Sequence, residues 1–175
     1  KPSDDRLSPQ DANEIVEACV KMAEVKTGAL IVIERNVSMG DIVSASGVTV
    51  DAVISSQLLI NIFEDKTPLH DGAVIIRDNR VAAASCILPV TQSEIGQELG
   101  TRHRAAVGAS EVSDAFIIVV SEETGKISIA RDGKLEKAVS EAVFRQELLN
   151  LCEKTTPAGA KAINKIWKGM SRHDK

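Results

Sequence analysis

The sequence predicts a single mixed α/β domain with a central β-sheet flanked by helices. Two successive units of a helix followed by a strand occupy residues 8–34 and 55–78. The strand-like runs are short and continuously apolar, as in sheets that are covered on both faces. With 43% hydrophobic and 26% charged residues among 175, the composition is ordinary for a globular protein with one core. We expect one domain over residues 1–157, followed by a basic tail over residues 158–175.

The first unit begins with a capped helix. Ser8 supplies an N-cap hydroxyl, and Pro9 stands at the first helical position. An apolar stripe at helical spacing follows, made of Ile15, Val16, Cys19, Met22 and Ala23. We expect Gly28 to end this helix and residues 29–34, ALIVIE, to form a buried strand.

The second unit repeats this order and leads into hairpins. Ser55 and Ser56 precede a short apolar helix, and residues 73–78, AVIIRD, form the next strand. Asp78-Asn79 then predicts a turn into a second strand that ends at Pro89.

The remaining elements contain one more helix on each side of a strand pair. Thr101 is predicted to be the N-cap of a short helix, followed by the strands AFIIVVS, 115–121, and ISIA, 127–130. After a turn at Arg131-Asp132-Gly133, we expect a helix from about Leu135 to Leu151 to close the core.

Bulk properties exclude several classes of function. A net charge of -4 and an aromatic content of 2% argue against a nucleic-acid partner, which needs a broad basic face or stacking platforms. The three widely spaced cysteines predict reduced residues rather than a zinc site. No apolar run approaches the roughly 18 residues of a membrane helix. Because the chain begins with Lys1 and has no signal-peptide core, we expect an excised domain.

The stretch LHDGAVIIRD, 69–78, places His70 and Asp71 at the mouth of an apparently buried strand. An Asp-Gly pair before an apolar run is usually a turn, and that interpretation stands as one alternative. The other is chemical, since a carboxylate beside an imidazole can hold a divalent metal or accept a proton.

The turn Gly100 to Arg104 is unusually basic for a helix start. Arginines there oppose the partial positive charge of the helix N-terminus unless an anion is bound. A solvated basic turn paired with surface carboxylates is the alternative. A further polar loop, Ser121 to Gly125, follows a buried strand and is explained either as a solvated turn or as a ligand-binding loop. The P-loop and Rossmann phosphate motifs are absent from the sequence.

Together, LHDGAVII (69–76), ELGTRHRAA (98–106) and VVSEETGKIS (119–128) resemble the diadenylate cyclase family, particularly its membrane-anchored CdaA type. The family's signature motifs are Asp-Gly-Ala and Arg-His-Arg, and the resemblance covers most of residues 8–150. It implies the mixed α/β fold of that family and a bacterial enzyme that condenses two ATP molecules into the second messenger cyclic di-AMP, releasing two pyrophosphates. It also implies a divalent metal, Mg²⁺ or Mn²⁺.

The resemblance implies a role for each matching residue. Asp71 activates the ribose 3′-hydroxyl and binds the metal, which His70 assists. Leu88 meets the adenine, and Glu123 lines the site. The residues expected to bind ATP are Gly72, Ala73, Leu88, Thr101, Arg102, His103, Arg104, Ser121 and Glu123.

Two rival functions stay open from the sequence. One is a degenerate family member that senses ATP or cyclic di-AMP, and the other is a different ATP-using transferase or a phosphoesterase on the same scaffold. For the cyclase, each chain carries one copy of each motif, so a face-to-face homodimer is expected to be required for catalysis. The CdaA type also implies that the full-length protein lies at the cytoplasmic face of the cell membrane, anchored by N-terminal helices, with this fragment itself soluble.

Overall fold

A mixed β-sheet forms the centre of the protein in a computed structural model that describes residues 6–94 and 99–153. Its strands are β1 (Ala29–Ile33), β2 (Val48–Val53), β3 (Ala73–Arg77), β4 (Arg80–Cys86), β5 (Phe116–Val120), β6 (Ile127–Arg131) and β7 (Lys134–Glu136). The helices are α1 (Pro9–Glu24), α2 (Gly40–Ser46), α3 (Ser56–Phe63), α4 (Thr101–Glu111) and α5 (Glu141–Asn150).

The strand order is β2-β4-β3-β1-β5-β6-β7. Strands β1 and β3 are parallel, and every other neighbouring pair is antiparallel. The predicted mixed α/β class is therefore confirmed.

Helices cover both faces of the sheet, as the continuous apolar runs predicted. Along β1, Ile31 packs in a cluster with residues of α1, α3 and α5, whereas its neighbour Val32 packs in a second cluster with α4. This alternation follows from the two-residue period of a strand. The α4 side of the sheet also carries the predicted functional motifs.

Several local predictions are confirmed by backbone geometry. The Ser8 hydroxyl accepts the N–H of Asp11 at 3.1 Å, so it caps α1 as expected. Asp78 and Asn79 have φ of 51° and 59°, which is the two-residue turn that suits a β-hairpin. The three cysteines are free thiols, with Cys19 and Cys86 buried and Cys152 partly buried.

The helix expected from Leu135 to Leu151 is wrong in its first part. Asp132 and Gly133 have φ of 52° and 76°, so they form a hairpin turn that pairs β7 with β6. The helix begins only at Glu141, where the Ser140 hydroxyl accepts the N–H of Val143 at 3.2 Å.

Two predicted helix ends also differ. Helix α1 ends at Glu24, before the expected end at Gly28, and Lys26, with φ of 55°, adopts the left-handed conformation that often follows a helix. Gly100 rather than Thr101 is the N-cap of α4, and no side chain caps that end. Helix α2 and strand β2 were not predicted, and the basic tail lies outside the described residues. Within the described ranges, no helix is long and apolar enough to cross a membrane.

Candidate active site

The predicted motifs meet along one edge of the sheet. Because β1 and β3 are parallel and β4 and β5 run opposite to them, the start of β3 and the ends of β4 and β5 lie at the same edge. The amino end of α4 lines the same cavities as these strand ends. Doubly wound sheets usually hold ligands at the carboxyl ends of parallel strands, whereas this edge carries the amino ends of the parallel pair.

A cavity of about 620 Å³, here the main cavity, lies at this edge. It brings together the Asp-Gly motif, the end of β4 and the start of α4. Its lining comprises Leu30, Ser46, His70, Asp71, Gly72, Ser85, Cys86, Ile87, Leu88, Val90, Thr101, Arg102, Ala105 and Glu122.

A smaller cavity of about 240 Å³, here the basic cavity, shares Thr101, Arg102 and Glu122 with the main cavity. Its other lining residues are Gly100, His103, Val120, Ser121 and Glu123. The two cavities thus unite most of the residues predicted to bind ATP.

Asp71 is exposed at the wall of the main cavity. Within the described part of the chain, its carboxylate has neither a hydrogen bond nor an ion pair. The neighbouring His70 ring is held, because its Nδ1 lies 2.7 Å from the carbonyl oxygen of Thr67. A carbonyl can only accept, so Nδ1 carries the hydrogen and Nε2 keeps a lone pair while the ring is neutral. Nε2 lies 3.8 Å from a carboxylate oxygen of Asp65.

The backbone conformation and the tight packing at position 72 both favour glycine. Its φ of 91° is one that side-chain-bearing residues rarely adopt. A Cβ there would lie 2.8 Å from the carbonyl oxygen of Cys86 on β4. The glycine therefore allows the Asp-Gly turn to pack against β4 and fixes the backbone next to Asp71.

The apolar end of the main cavity lies at the end of β4, where Leu88 is 4% exposed. Ser46 of α2 fixes the segment after β4, since its hydroxyl accepts the N–H of Ile87 at 2.9 Å and donates to the carbonyl of Ile42. Ser85 has φ of 56° where the β3–β4 register shifts, which turns the strand end at the cavity wall.

Arg102 is a partly buried charged group that contacts both Glu122 and Gly28. Its side chain is 23% exposed, and its Nη1 lies 3.4 Å from Glu122, which is 65% exposed. A Cβ on Gly28 would lie 2.5 Å from the Arg102 Cζ, so only glycine leaves room for the guanidinium in this position. Sequence reasoning offered surface carboxylates as partners of this turn but identified neither Glu122 nor Gly28, because each is far from Arg102 along the chain.

Arg104 and Ala73 are placed differently from the other predicted binding residues. Ala73 is fully buried, and neither residue is among those that line the two cavities. The Nε of Arg104 is buried without a hydrogen-bond partner within the described residues, while its carbonyl accepts the N–H of Thr91 at 3.1 Å. The ATP-binding roles of Arg104 and Ala73 stay predictions.

The loop after β5 forms the far wall of the basic cavity. The Ser121 hydroxyl oxygen accepts the N–H groups of Glu123 and Thr124, both at 3.2 Å, which leaves its own hydrogen free to donate. Burial, followed by the nearby charges of Lys137 and Arg102, lowers the pKa of His103.

Asp71 and His70, the residues predicted to bind metal, are compatible with an ion that is also coordinated by substrate phosphates. The described residues contain no cluster of three or more His, Cys, Asp or Glu side chains suited to a metal. Asp71 and Nε2 of His70, which also lies 3.8 Å from Asp65, offer two donors from neighbouring residues. Mg²⁺ typically takes one or two protein carboxylates and completes its shell with water and substrate phosphates, so this donor set is compatible with it.

Another cavity of about 440 Å³ lies between α1, the turn joining β5 to β6 and the segment joining β7 to α5. Its lining includes Glu24, Lys126 and Glu141, and it contains none of the residues predicted for the site.

Comparison with known proteins finds one family model and several similar proteins that match this chain. Residues 16–135 match the DAC family, described as DisA bacterial checkpoint controller nucleotide-binding. The chain is 51% identical over 135 residues to the cyclic di-AMP synthase CdaA of Bacillus subtilis (strain 168), covering 77% of this chain and 49% of that protein. It is 46% identical over 165 residues to the diadenylate cyclase of Listeria monocytogenes serotype 1/2a (strain 10403S), covering 91% of this chain and 60% of that protein. The chain thus spans about half to three fifths of the length of these two relatives.

Solved structures support the fold. A crystal structure of a double mutant of DacA from Staphylococcus aureus matches with a TM-score of 0.80 at 44% identity, over 83% of this chain and 97% of that one. A structure described as a hypothetical membrane spanning protein from Bacillus cereus matches with a TM-score of 0.69 at 45% identity, over 75% of this chain and 64% of that one.

Proposed function

The chain belongs to the DAC family, the DisA bacterial checkpoint controller nucleotide-binding family, and from this premise we propose that it condenses two ATP molecules into cyclic di-AMP. The observation that carries the proposal is the continuity of the main and basic cavities, which places Asp71 and Arg102 on the walls of one cleft. Relatives named cyclic di-AMP synthase and diadenylate cyclase support the same activity.

ATP would lie with its base toward the apolar end of the main cavity, near Leu88, and with its phosphates toward the basic cavity. The Arg102 guanidinium would donate to phosphate oxygens, which it matches in geometry. Thr101 and Ser121 supply hydroxyl donors, and the free N–H groups at the start of α4 add to the positive potential.

Asp71 is the residue suited to the reacting hydroxyl. The 3′-oxygen of one nucleotide forms a bond to the α-phosphorus of the other, while the bond to the departing pyrophosphate breaks. The carboxylate of Asp71 takes the proton of the 3′-hydroxyl. Its exposed position leaves it available to a substrate held by the opposite wall.

A divalent ion, Mg²⁺ or Mn²⁺, would be held by Asp71 and by Nε2 of His70 together with substrate phosphates. When bound, it would lower the charge repulsion at the α-phosphate and make the pyrophosphate a better leaving group.

Two copies of the chain would be needed for one cyclic product. The cleft holds one Asp71 and one Arg102, whereas the product contains two equivalent phosphodiester bonds. A face-to-face homodimer brings each 3′-hydroxyl to the other α-phosphorus. Ile87, 74% exposed, and Val90, 36% exposed, line the cavity mouth and offer apolar surface to such a partner.

The direct test is incubation with ATP and either Mg²⁺ or Mn²⁺, followed by chromatography of the products. Cyclic di-AMP with pyrophosphate supports the cyclase. Unchanged ATP that is nevertheless bound would favour the sensor, and a different nucleotide product would favour another transferase or a phosphoesterase. Specific activity at saturating ATP should fall as the enzyme is diluted. Constant activity from protein shown to be monomeric would contradict the dimer.

We also propose that the full-length protein acts at the cytoplasmic face of the membrane. The resemblance to the CdaA type supports this, as does a structural relative described as membrane spanning. Fractionation of cells that express the full-length protein would test it.

A further inference from the structure

The cleft contains few cations for a triphosphate. Arg102 is the one lysine or arginine among the described residues that line the main and basic cavities, and it already faces Glu122 at 3.4 Å. Arg104 does not line either cavity. Beyond the divalent ion proposed at Asp71, a bound triphosphate and the pyrophosphate that leaves would be stabilised by further positive charge nearby.

Two lysines meet this need in a third cavity of about 330 Å³, here the lysine cavity. It shares Gly100, His103, Ser121 and Glu123 with the basic cavity and so continues the cleft away from Asp71. Lys126 and Lys137 line it, and Lys126 also lines the 440 Å³ cavity beside α1. In the described ranges neither lysine forms an ion pair, although the carboxylate of Glu123 lies in the same cavity wall.

The backbone of both lysines is fixed by local hydrogen bonds. The Lys126 carbonyl accepts the N–H of Ser121 at 3.0 Å, and its N–H donates to the Thr124 hydroxyl at 3.2 Å. Lys137 precedes Ala138, which has φ of 53° and donates its N–H to the Ser128 hydroxyl at 3.2 Å. These bonds fix the backbone at and next to both lysines, and both residues line the lysine cavity.

A lysine of this cavity also affects the pKa of His103, which lines the same cavity. The charge of Lys137 contributes to the lowered pKa of His103, after burial and ahead of Arg102. Two cations, Lys137 and Arg102, thus lie close enough to His103 to lower its pKa, although Glu123 opposes them.

We propose that Lys126 and Lys137 form the subsite for the terminal phosphates of ATP, and for pyrophosphate before its release. This rests on the proposed function, because it assumes that the α-phosphate lies between Asp71 and Arg102. A triphosphate would then extend from the main cavity through the basic cavity into the lysine cavity.

The test compares the binding of α,β-methylene-ATP, which cannot release pyrophosphate, with that of AMP by calorimetry. The double variant Lys126→Ala/Lys137→Ala should bind the analogue about tenfold more weakly or worse and should bind AMP as the wild type does. Lys137→Arg should keep the affinity, because the charge remains. Lys134→Ala is the matched control, since Lys134 is an exposed lysine on β7 that does not line the cavity.

Three outcomes would overturn the subsite: unchanged affinity in the double variant, equal losses for the analogue and AMP, or an equal loss in Lys134→Ala. If the double variant binds normally while the wild type makes cyclic di-AMP, the subsite fails and the proposed function stands. If the lysines govern binding of the analogue but the wild type makes no cyclic product, the function fails and a polyphosphate subsite stands. A wild type that binds no analogue overturns the subsite, and one that also makes no cyclic di-AMP overturns both.

Discussion

The two walls of the cleft hold their charged groups in different ways. On the acidic wall, formed by His70 to Gly72, the Asp71 carboxylate is exposed and has no partner among the described residues. On the basic wall, formed by Gly100 to His103, Arg102 is only 23% exposed, pairs with Glu122 and packs over Gly28.

This difference corresponds to the two tasks that the proposed reaction requires. A group that binds phosphate is most effective when it is held in place before the ligand arrives, since no ordering cost then falls on binding. A group that takes a proton must approach a hydroxyl whose position the substrate determines, so it benefits from free access. The rigid part next to Asp71 is its backbone, fixed by Gly72 against β4.

The largest expected effect comes from the acidic wall. Asp71→Asn keeps the shape of the side chain but removes the charge needed for proton transfer and for the metal. We expect cyclic di-AMP formation to fall by about 100- to 10,000-fold while ATP binding persists. Product formation and ATP affinity should be measured on the same preparation. Near-normal product from this variant would remove Asp71 from the mechanism.

The next effect separates two arginines of the basic turn. Arg102→Ala removes charged hydrogen bonds worth about 1.5–3 kcal/mol and should weaken ATP binding roughly ten- to a hundredfold. Arg104→Ala should change ATP affinity little, because Arg104 does not line the cavities. Calorimetry on both variants tests the contrast. An equal loss in Arg104→Ala would support the ATP-binding role that the sequence motif predicts for it.

The same turn shows what the sequence could and could not predict. The helix of Thr101 to Glu111 and its basic start follow from local patterns, and so does the resemblance that brings Asp71 and Arg102 into one site. The opposite placements of Arg102 and Arg104 depend on how α4 packs against the sheet, which no local pattern records. The missed β7 had a local signal, since Asp132-Gly133 is a typical hairpin turn and Ser140 a typical N-cap.

A smaller effect is expected from Gly28, which positions Arg102 through the space that it leaves. In Gly28→Ala the new methyl group would displace the guanidinium, whose flexible chain can move, so unfolding stability should fall by less than about 1 kcal/mol. ATP affinity should fall roughly three- to tenfold, less than in Arg102→Ala, because the charge is displaced rather than removed.

A double-mutant cycle tests whether Gly28 affects ATP binding only through Arg102. In an Arg102→Ala background, Gly28→Ala should cause no further loss of ATP affinity, because the group it displaces is already absent. Gly40→Ala, on α2 and outside the cleft lining, is the control for a general effect of replacing glycine. A further loss in the double variant would mean that Gly28 acts on the cleft by another route.

The smallest expected effect concerns His103, the histidine on the basic wall. Burial, with Lys137 and Arg102 nearby, lowers its pKa below the ordinary value of 6.5, although Glu123 partly opposes this. Below pH 6.5, His103 takes up a proton more readily in the unfolded chain than in the folded protein. The contribution of His103 to stability is therefore complete above pH 6.5 and decreases as the pH falls through 6.5 toward the lowered pKa.

Denaturant unfolding at pH about 7.5 and about 5.5 should show a smaller loss of stability in His103→Gln than in the wild type. Lys137→Ala should also reduce the loss, because it removes one of the charges that lower the pKa. Equal losses in all three proteins would show that neither burial nor nearby cations lower the pKa of His103 in solution, and the basic wall would then resemble the acidic one in being open to solvent.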